Sequence, residues 1–287
     1  MTRRELVKAA SAAALALRSA GAATRKILYF TRSAGFEHGP VKRKGNELAY
    51  SEQCLTELGK RAGFDVDCTK DGRVFDGNLE QYDAFSFYTT GDLTGPAPDN
   101  SPPMSAQGKR RFLEAIRNGK GFIGFHSATD TFHSQGPRNE NQSAVDPYIA
   151  MLGGEFVAHG EQQEASLLAT SDFLYKNIGV PSEGLSFTDE WYASKNFAKD
   201  LHVILVQETK YMQGEAYRRP DFPATWVRMH ERGRVFYTSL GHREDVWSNP
   251  LFQAIAQGGI AWATGQFDYD ITPNIGKVTP EASRLKI

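Results

Sequence analysis

The residues best suited to chemistry in this sequence are histidines placed in loops or at strand ends. Neutral imidazole together with a carboxylate is a common ligand set for zinc and similar divalent ions. No H-E-x-x-H or comparable local motif is present, so a metal site would need distant loops to converge. The alternative is that each histidine only caps or hydrogen-bonds its own loop. Six of the seven histidines lie in such positions: His38, His126, His133, His159, His230 and His242.

A second chemically active segment reads Thr188-Asp189-Glu190-Trp191-Tyr192 and places carboxylates beside aromatic rings. Aromatic rings that flank a polar cleft favour sugars, because the C–H faces of a sugar can stack on them. Trp191, Tyr192 and Trp247 lie beside polar residues and are the candidates for such contacts. Core packing is the alternative for each ring.

The stretch Gly124-Phe125-His126-Ser127-Ala128 has the pattern of a strand-to-helix elbow, where many hydrolases present a nucleophile. His126 occupies the elbow position. Centring the frame on Ser127 fails, because Phe125 and Thr129 replace both glycines. Ser127 and His126 are also neighbours that should point apart, so they form a poor nucleophile–base pair.

Alternating short apolar strands and amphipathic helices carry these side chains. Strands are predicted at 26–30, 64–68, 82–88, 121–125, 165–169, 202–207, 224–229 and 234–239, and helices at 46–62, 106–118, 146–152 and 249–263. This alternation predicts an α/β fold, a mostly parallel sheet with helices on both faces. Ligands of such sheets bind at the carboxyl ends of the strands, where most of the histidines fall.

Composition excludes several classes of protein. The 287 residues include 40% hydrophobic and 23% charged residues, values typical of a globular chain. Lys and Arg total 33 against 34 Asp and Glu, and the absence of a basic excess argues against nucleic acid as a partner. The sequence contains no run of about 18 apolar residues, so no transmembrane segment is predicted. Two cysteines, Cys54 and Cys68, exclude a disulfide scaffold, although they could pair in an oxidising compartment.

The N-terminus has the features of an export signal. Arg3 and Arg4 are followed by a modestly apolar, alanine-rich stretch and by Ala20-Gly21-Ala22, an A-x-A cleavage pattern. These features predict a twin-arginine-type signal peptide over residues 1–22 and a periplasmic or other extracytoplasmic location. A single domain over residues 23–287 with a short C-terminal tail would follow. The alternative is an amphipathic helix that belongs to the fold.

Four segments, in order, resemble the ThuA-like family, named for trehalose utilisation. They are residues 30–38, 124–131, 188–192 and 233–242, followed by Trp247 and residues 258–263. The resemblance implies a class I glutamine-amidotransferase-like, flavodoxin-like fold. It also implies loss of the amidotransferase cysteine, which fits His126 at the elbow. Two stretches, 134–143 and 214–221, depart from the compact family pattern and would reshape the cleft.

The resemblance also implies a role in disaccharide or keto-glycoside catabolism. The site residues that it carries over are His38, His126, His159, Ser127, Asp130, Glu190 and His242. We therefore expect a divalent metal (zinc, manganese or iron) held by some of His38, His126, His159, Glu190 and His242. No nucleotide cofactor is expected.

In this hypothesis the catalytic residues are His126, Asp130 and Glu190, and one of the two carboxylates moves protons. Ser127, Trp191, Tyr192 and Trp247 would bind a small sugar. Isomerisation, hydrolysis and elimination all remain open, as does a homo-oligomer. The alternative functions are a non-catalytic periplasmic carbohydrate-binding protein and a hydrolase that uses Ser127.

Overall fold

The computed structural model describes residues 24–173 and 184–286, which contain eleven strands and six α-helices. The strands are β1 (Arg25–Phe30), β2 (Phe64–Thr69), β3 (Ala84–Phe87), β4 (Gly121–Phe125), β5 (Glu155–Ala158), β6 (Gln163–Ala169), β7 (Leu185–Asp189), β8 (Ala193–Lys195), β9 (His202–Gln207), β10 (Phe222–His230) and β11 (Gly233–Thr238). The helices are α1 (Tyr50–Ala62), α2 (Ala106–Arg117), α3 (Pro147–Leu152), α4 (Glu244–Ser248), α5 (Pro250–Ala263) and α6 (Ile275–Val278). The predicted signal peptide, residues 1–22, lies outside the described residues.

One nine-stranded sheet organises the molecule, in the order β2-β1-β3-β4-β11-β10-β9-β6-β7. Strands β2, β1, β3, β4 and β11 pair in parallel, and the remaining four continue the sheet in antiparallel pairings. The predicted α/β fold is confirmed as a parallel core within a mixed sheet. Strand direction in the second half was not evident in the sequence, because an apolar run has the same pattern in either direction.

Helices cover both faces of the sheet, as predicted. Helices α1 and α5 pack on one face through residues such as Leu55 and Ile255. Helices α2 and α3 pack on the other through residues such as Phe112 and Tyr148. The α5 helix approaches β4 so closely that a Cβ at Gly121 would lie 2.4 Å from the Ala263 carbonyl oxygen. The glycine is therefore needed for this close packing.

Helix α1 begins at Tyr50, four residues later than predicted. The residue before it, Ala49, is bound by a side chain of the helix and lies outside it. The Glu52 carboxylate accepts a hydrogen bond from the backbone N–H of Ala49 at 2.8 Å, which satisfies a donor of the helix start. The helix ends at Gly63 as predicted, with φ of 85° in the left-handed region.

Three strands were not predicted: β5, β7 and β8. Each has only three to five residues, too few to show a period. The omission matters because β7 ends at Asp189, so Glu190 follows a strand rather than lying inside a loop.

Cys54 and Cys68 are both free thiols, and burial raises the pKa of Cys68 to about 12.

Within residues 24–173 and 184–286, none of the helices combines the length and apolar character that crossing a bilayer requires.

Candidate metal centre

Four side chains from distant parts of the sequence meet beyond the carboxyl ends of the strands. His38 follows β1, His126 follows β4, Glu190 follows β7 and His242 follows β11. Each offers one ligand atom, and the four atoms lie within 4.8 Å of one another. We call these four residues the metal centre, for the ion that their donor atoms could hold. The convergence proposed from loop positions is therefore present, in the place where parallel sheets bind ligands.

Glu190 lies in the middle of this group. Its Oε2 atom lies 3.0 Å from Nδ1 of His242, 3.5 Å from Nε2 of His126 and 4.0 Å from Nε2 of His38. The Nδ1 atom of His242 is also 3.3 Å from Nε2 of His126. Two unprotonated imidazole nitrogens at this distance would repel each other through their lone pairs. A proton or a cation between them removes that repulsion.

The hydrogen bond on the far side of His126 assigns its tautomer. Its Nδ1 atom lies 2.9 Å from the carbonyl oxygen of Ser239, which can only accept a hydrogen bond. The proton of the neutral ring is therefore on Nδ1, and the lone pair of Nε2 faces Glu190. A backbone carbonyl behind the ring is the usual outer partner of a metal-ligating histidine.

The charges of the group also fit a cation. Burial raises the pKa of Glu190, but when His126 and His242 are protonated their hydrogen bonds and positive charge lower it more, so the carboxyl is ionised. A cation bound in place of those protons would act on the carboxyl in the same direction and leave the rings neutral. Burial, together with the charges of His126 and His242, lowers the pKa of His38 to about 2. One carboxylate and neutral imidazole form a donor set that suits zinc, manganese or iron.

The elbow predicted at His126 is present and is strained. His126 has φ of 41°, in a region that residues other than glycine rarely adopt. The Tyr237 hydroxyl donates a hydrogen bond of 2.7 Å to the His126 carbonyl oxygen and holds this conformation. Such strain, of order 1–3 kcal/mol, clusters at functional sites.

Asp189 positions His242, a role that sequence reasoning missed. Its buried carboxylate accepts hydrogen bonds from the backbone N–H groups of Gly241 at 2.8 Å and Arg243 at 3.1 Å, on either side of His242. Burial raises the pKa of Asp189, and the charge of His126 and the backbone N–H of Gly241 partly offset the effect. The sequence feature that could have identified Asp189 is its position next to Glu190 in the segment 188–192.

Tyr192 is the aromatic residue that reaches the metal centre. Its hydroxyl lies 3.2 Å from Nε2 of His38, and its ring centroid lies 4.2 Å from that of His126. Burial and the charges of Asp130 and Glu190 raise the pKa of Tyr192 far above its usual value. The hydroxyl is therefore a protonated hydrogen-bond donor.

The interpretation of Trp191 and Trp247 as sugar-stacking rings must be corrected. Trp191 is 0% exposed and Trp247 is 2% exposed. Their indole N–H groups donate to the carbonyl oxygens of Gln163 and Gly241, both at 2.8 Å. Polar neighbours in the sequence did not reveal this, because adjacent side chains can point to opposite sides of the backbone.

The remaining predicted residues lie around the four donors. His159 is at the rim, 43% exposed, with Nδ1 3.3 Å from Oε1 of Glu190. Asp130 lies outside the group and accepts hydrogen bonds from His133 at 2.6 Å and Arg138 at 2.7 Å. Ser127 is buried, and its hydroxyl has no partner among the described residues. No base therefore contacts Ser127 there, which argues against the serine hydrolase.

Comparisons with known proteins place the chain in a family. The ThuA family model, described as trehalose utilisation, matches residues 26–263. A ThuA-like protein from Parabacteroides merdae shares 19% identity over 86% of this chain and 92% of its own, with a TM-score of 0.61. A ThuA-like protein from Bacteroides uniformis shares 19% identity over 86% of this chain and 94% of its own, with a TM-score of 0.58. A Salmonella typhimurium protein described as cytoplasmic shares 11% identity over 84% of this chain and 99% of its own, with a TM-score of 0.53.

Identity at this level shows the fold alone, an α/β fold that these proteins share with this chain. A comparison with curated protein sequences found no match. The family model, in contrast, spans most of the sequence and includes all four donors of the metal centre. The chain therefore belongs to the ThuA, or trehalose utilisation, family.

Proposed function

We propose that the protein is a metal-dependent enzyme that acts on a carbonyl or hydroxyl group of a sugar, in disaccharide or keto-glycoside catabolism. The observation that carries the proposal is the meeting of three imidazoles and one carboxylate within 4.8 Å. The family description supports a sugar as the substrate. The reaction class would be isomerisation, elimination or hydrolysis, each of which needs proton transfer next to a polarised oxygen.

His38, His126, Glu190 and His242 would hold the ion. A divalent cation there would act as a Lewis acid toward a substrate oxygen. Glu190 supplies the only negative charge among the four donors, and the backbone carbonyl behind His126 fixes the direction of its ring.

Proton transfer would fall to residues beside the four donors. Tyr192 is protonated and can donate a hydrogen bond to a substrate oxygen near His38. His159 lies at the solvent-exposed rim, 3.3 Å from Glu190, and imidazole is the side chain most often used for general acid–base catalysis. Asp130, the third candidate from the sequence, is paired with His133 and Arg138 and is therefore the weakest of the three.

The first test is the metal content of the purified protein, measured by elemental mass spectrometry. We expect near-stoichiometric zinc, manganese or iron in the wild type and its loss in the double variant His126→Ala, His242→Ala. The matched control is His133→Gln, a nearby histidine outside the four donors, which should keep the metal. Absence of metal from the wild type, even after soaking with each ion, would contradict the proposal.

Activity is tested next, on the metal-loaded protein with disaccharides and their keto derivatives. Turnover that disappears in the double variant supports an enzyme. Sugar binding without any product would instead support the carbohydrate-binding alternative.

We also propose that residues 1–22 direct export by the twin-arginine route. The paired Arg3 and Arg4 and the Ala20-Gly21-Ala22 pattern support this. N-terminal sequencing of protein from the producing cells should find a chain that begins near Ala23. The substitution of both arginines by lysine should leave uncleaved protein inside the cell, and unchanged processing would contradict the proposal.

A further inference from the structure

Phe36 is a large apolar side chain left in solvent at the metal centre. It is 68% exposed and lies two residues before the donor His38. Its ring centroid is 5.0 Å from that of His38, with the two rings nearly perpendicular at 86°. A phenylalanine left exposed forgoes much of the stabilisation that burial would give it.

The exposure does not come from a loosely held loop. The Thr90 hydroxyl donates a hydrogen bond of 2.8 Å to the Phe36 carbonyl oxygen. The backbone N–H groups of Ala34 and Gly35 donate to the Thr90 carbonyl oxygen at 2.8 and 3.2 Å. On the other side, Glu37 pairs at 3.0 Å with Lys70, which is itself buried. The fold therefore holds the backbone on both sides of the exposed ring.

A second aromatic surface lies beyond the metal centre. The His159 ring is 43% exposed and stacks on Tyr192, with centroids 5.7 Å apart and planes 10° from parallel. Phe36 contacts His38, and His159 contacts Glu190, so the two exposed rings adjoin different donors of the same group. Of these two exposed rings, that of Phe36 is the apolar one.

We propose that Phe36 is the stacking platform for a pyranose ring of the substrate. The apolar C–H face of the sugar would lie on the exposed ring, and a sugar oxygen would then face the donors. This inference rests on the proposed function, because it assigns a substrate contact to the same site. Phe36 thus takes the role that the sequence suggested for Trp191 and Trp247, which are buried.

The test compares sugar binding by four proteins: the wild type, Phe36→Ala, Phe36→Tyr and Tyr211→Ala. Tyr211 is a matched control because it is also an exposed aromatic, 73% accessible, and its ring packs against the Lys210 ammonium group. The probes are trehalose and methyl α-glucopyranoside. Saturation-transfer NMR and calorimetric titration measure binding, with and without added zinc.

We expect Phe36→Ala to bind the probes about tenfold more weakly than the wild type. Phe36→Tyr should restore binding to within about twofold, because a tyrosine ring offers the same face, and Tyr211→Ala should bind normally. Wild-type affinity in Phe36→Ala would overturn the platform, as would failure of the wild type to bind either sugar.

Metal content, measured on the same samples, separates this inference from the proposed function. Bound metal with sugar binding that ignores Phe36 would overturn the platform alone. Sugar binding that needs Phe36 in a protein that never takes up metal would overturn the metal-dependent enzyme and leave the platform in place.

Discussion

Two neighbouring clusters combine histidine with carboxylates in opposite proportions. The metal centre places three imidazoles around the single carboxylate of Glu190. The second cluster, which we call the Asp130 network, places one imidazole between two carboxylates. In it, His133 contacts Oδ1 of Asp130 at 2.6 Å through Nε2 and Oε1 of Glu155 at 3.1 Å through Nδ1.

The proportions lead to different protonation. Burial lowers the pKa of His133, but hydrogen bonds to Asp130 and Glu155 raise it to about 9. Burial likewise raises the pKa of Glu155, but hydrogen bonds from His133, Ser134 and Asn196 lower it to about 2. The Asp130 network is therefore an ion-pair cluster whose members satisfy one another. In the metal centre His38 stays neutral, and the lone pair of its one unprotonated ring nitrogen is available to a cation.

Their surroundings differ as well. The Asp130 network abuts the 134–143 insertion, which the sequence suggested would reshape the cleft. The buried Lys195 ammonium donates hydrogen bonds to the carbonyl oxygens of Pro137 at 3.1 Å and Glu140 at 3.0 Å, and so anchors the insertion. In this molecule the ratio of imidazole to carboxylate, rather than residue type, separates a candidate ligand set from a structural ion-pair cluster.

The largest effect should come from Glu190→Gln, which removes the only anion of the metal centre at constant shape. We expect metal affinity to fall by more than about 100-fold, because even outer-shell changes cost 10–100-fold. Without added metal, thermal stability should also fall, because the lowered pKa of Glu190 means that the folded protein favours the carboxylate over a neutral group. Calorimetric titration with zinc checks the affinity. Unchanged affinity would make the metal centre a histidine–carboxylate network like its neighbour.

Asp189→Asn should have a smaller effect, through the position of His242. The amide keeps one oxygen acceptor but brings an N–H₂ group toward a backbone N–H donor. We expect a loss of about 10-fold in metal affinity and about 1–3 kcal/mol in the free energy of unfolding. Zinc titration and chemical denaturation measure the two quantities. Asp245→Asn, which alters an exposed partner of Arg243, is the control that should lose neither.

The smallest effect should be the pH dependence contributed by His133. Its folded pKa of about 9 lies above the ordinary 6.5, so its stabilisation is complete below pH 6.5 and is lost as the pH rises toward 9. We expect about 1–2 kcal/mol after allowance for solvent screening. Denaturation of the wild type and of His133→Gln at pH 6 and pH 9 measures the difference.

The variant should lose less stability than the wild type over this interval. His230→Gln is the control, because this histidine at the end of β10 lies outside the Asp130 network. Its decline should be at least as steep as that of the wild type, because burial lowers the pKa of His230 and the contribution of this residue to stability therefore rises with pH. Equal declines in wild type and His133→Gln would show that the Asp130 network holds no extra proton. The contribution of Glu155 has the opposite direction and disappears as the pH falls from about 4.5 toward 2.

The sequence by itself determined the elements whose causes are local. The apolar run 121–125 became the buried strand β4, Gly63 ended helix α1, and His126 took the elbow that its position after β4 predicts. The α/β class followed from the alternation of these elements. Periodicity and turn-forming residues act over a few positions, so one sequence is enough to show them.

Only the tertiary structure decided which histidines meet. The order β2-β1-β3-β4-β11 brings the ends of β1, β4 and β11 near one another, and the chain after β7 adds Glu190. The tertiary structure also buries Trp191 and leaves Phe36 exposed. These outcomes depend on strand order and on which side of the backbone each ring packs. Residues far apart in the sequence settle both, so no local pattern records them.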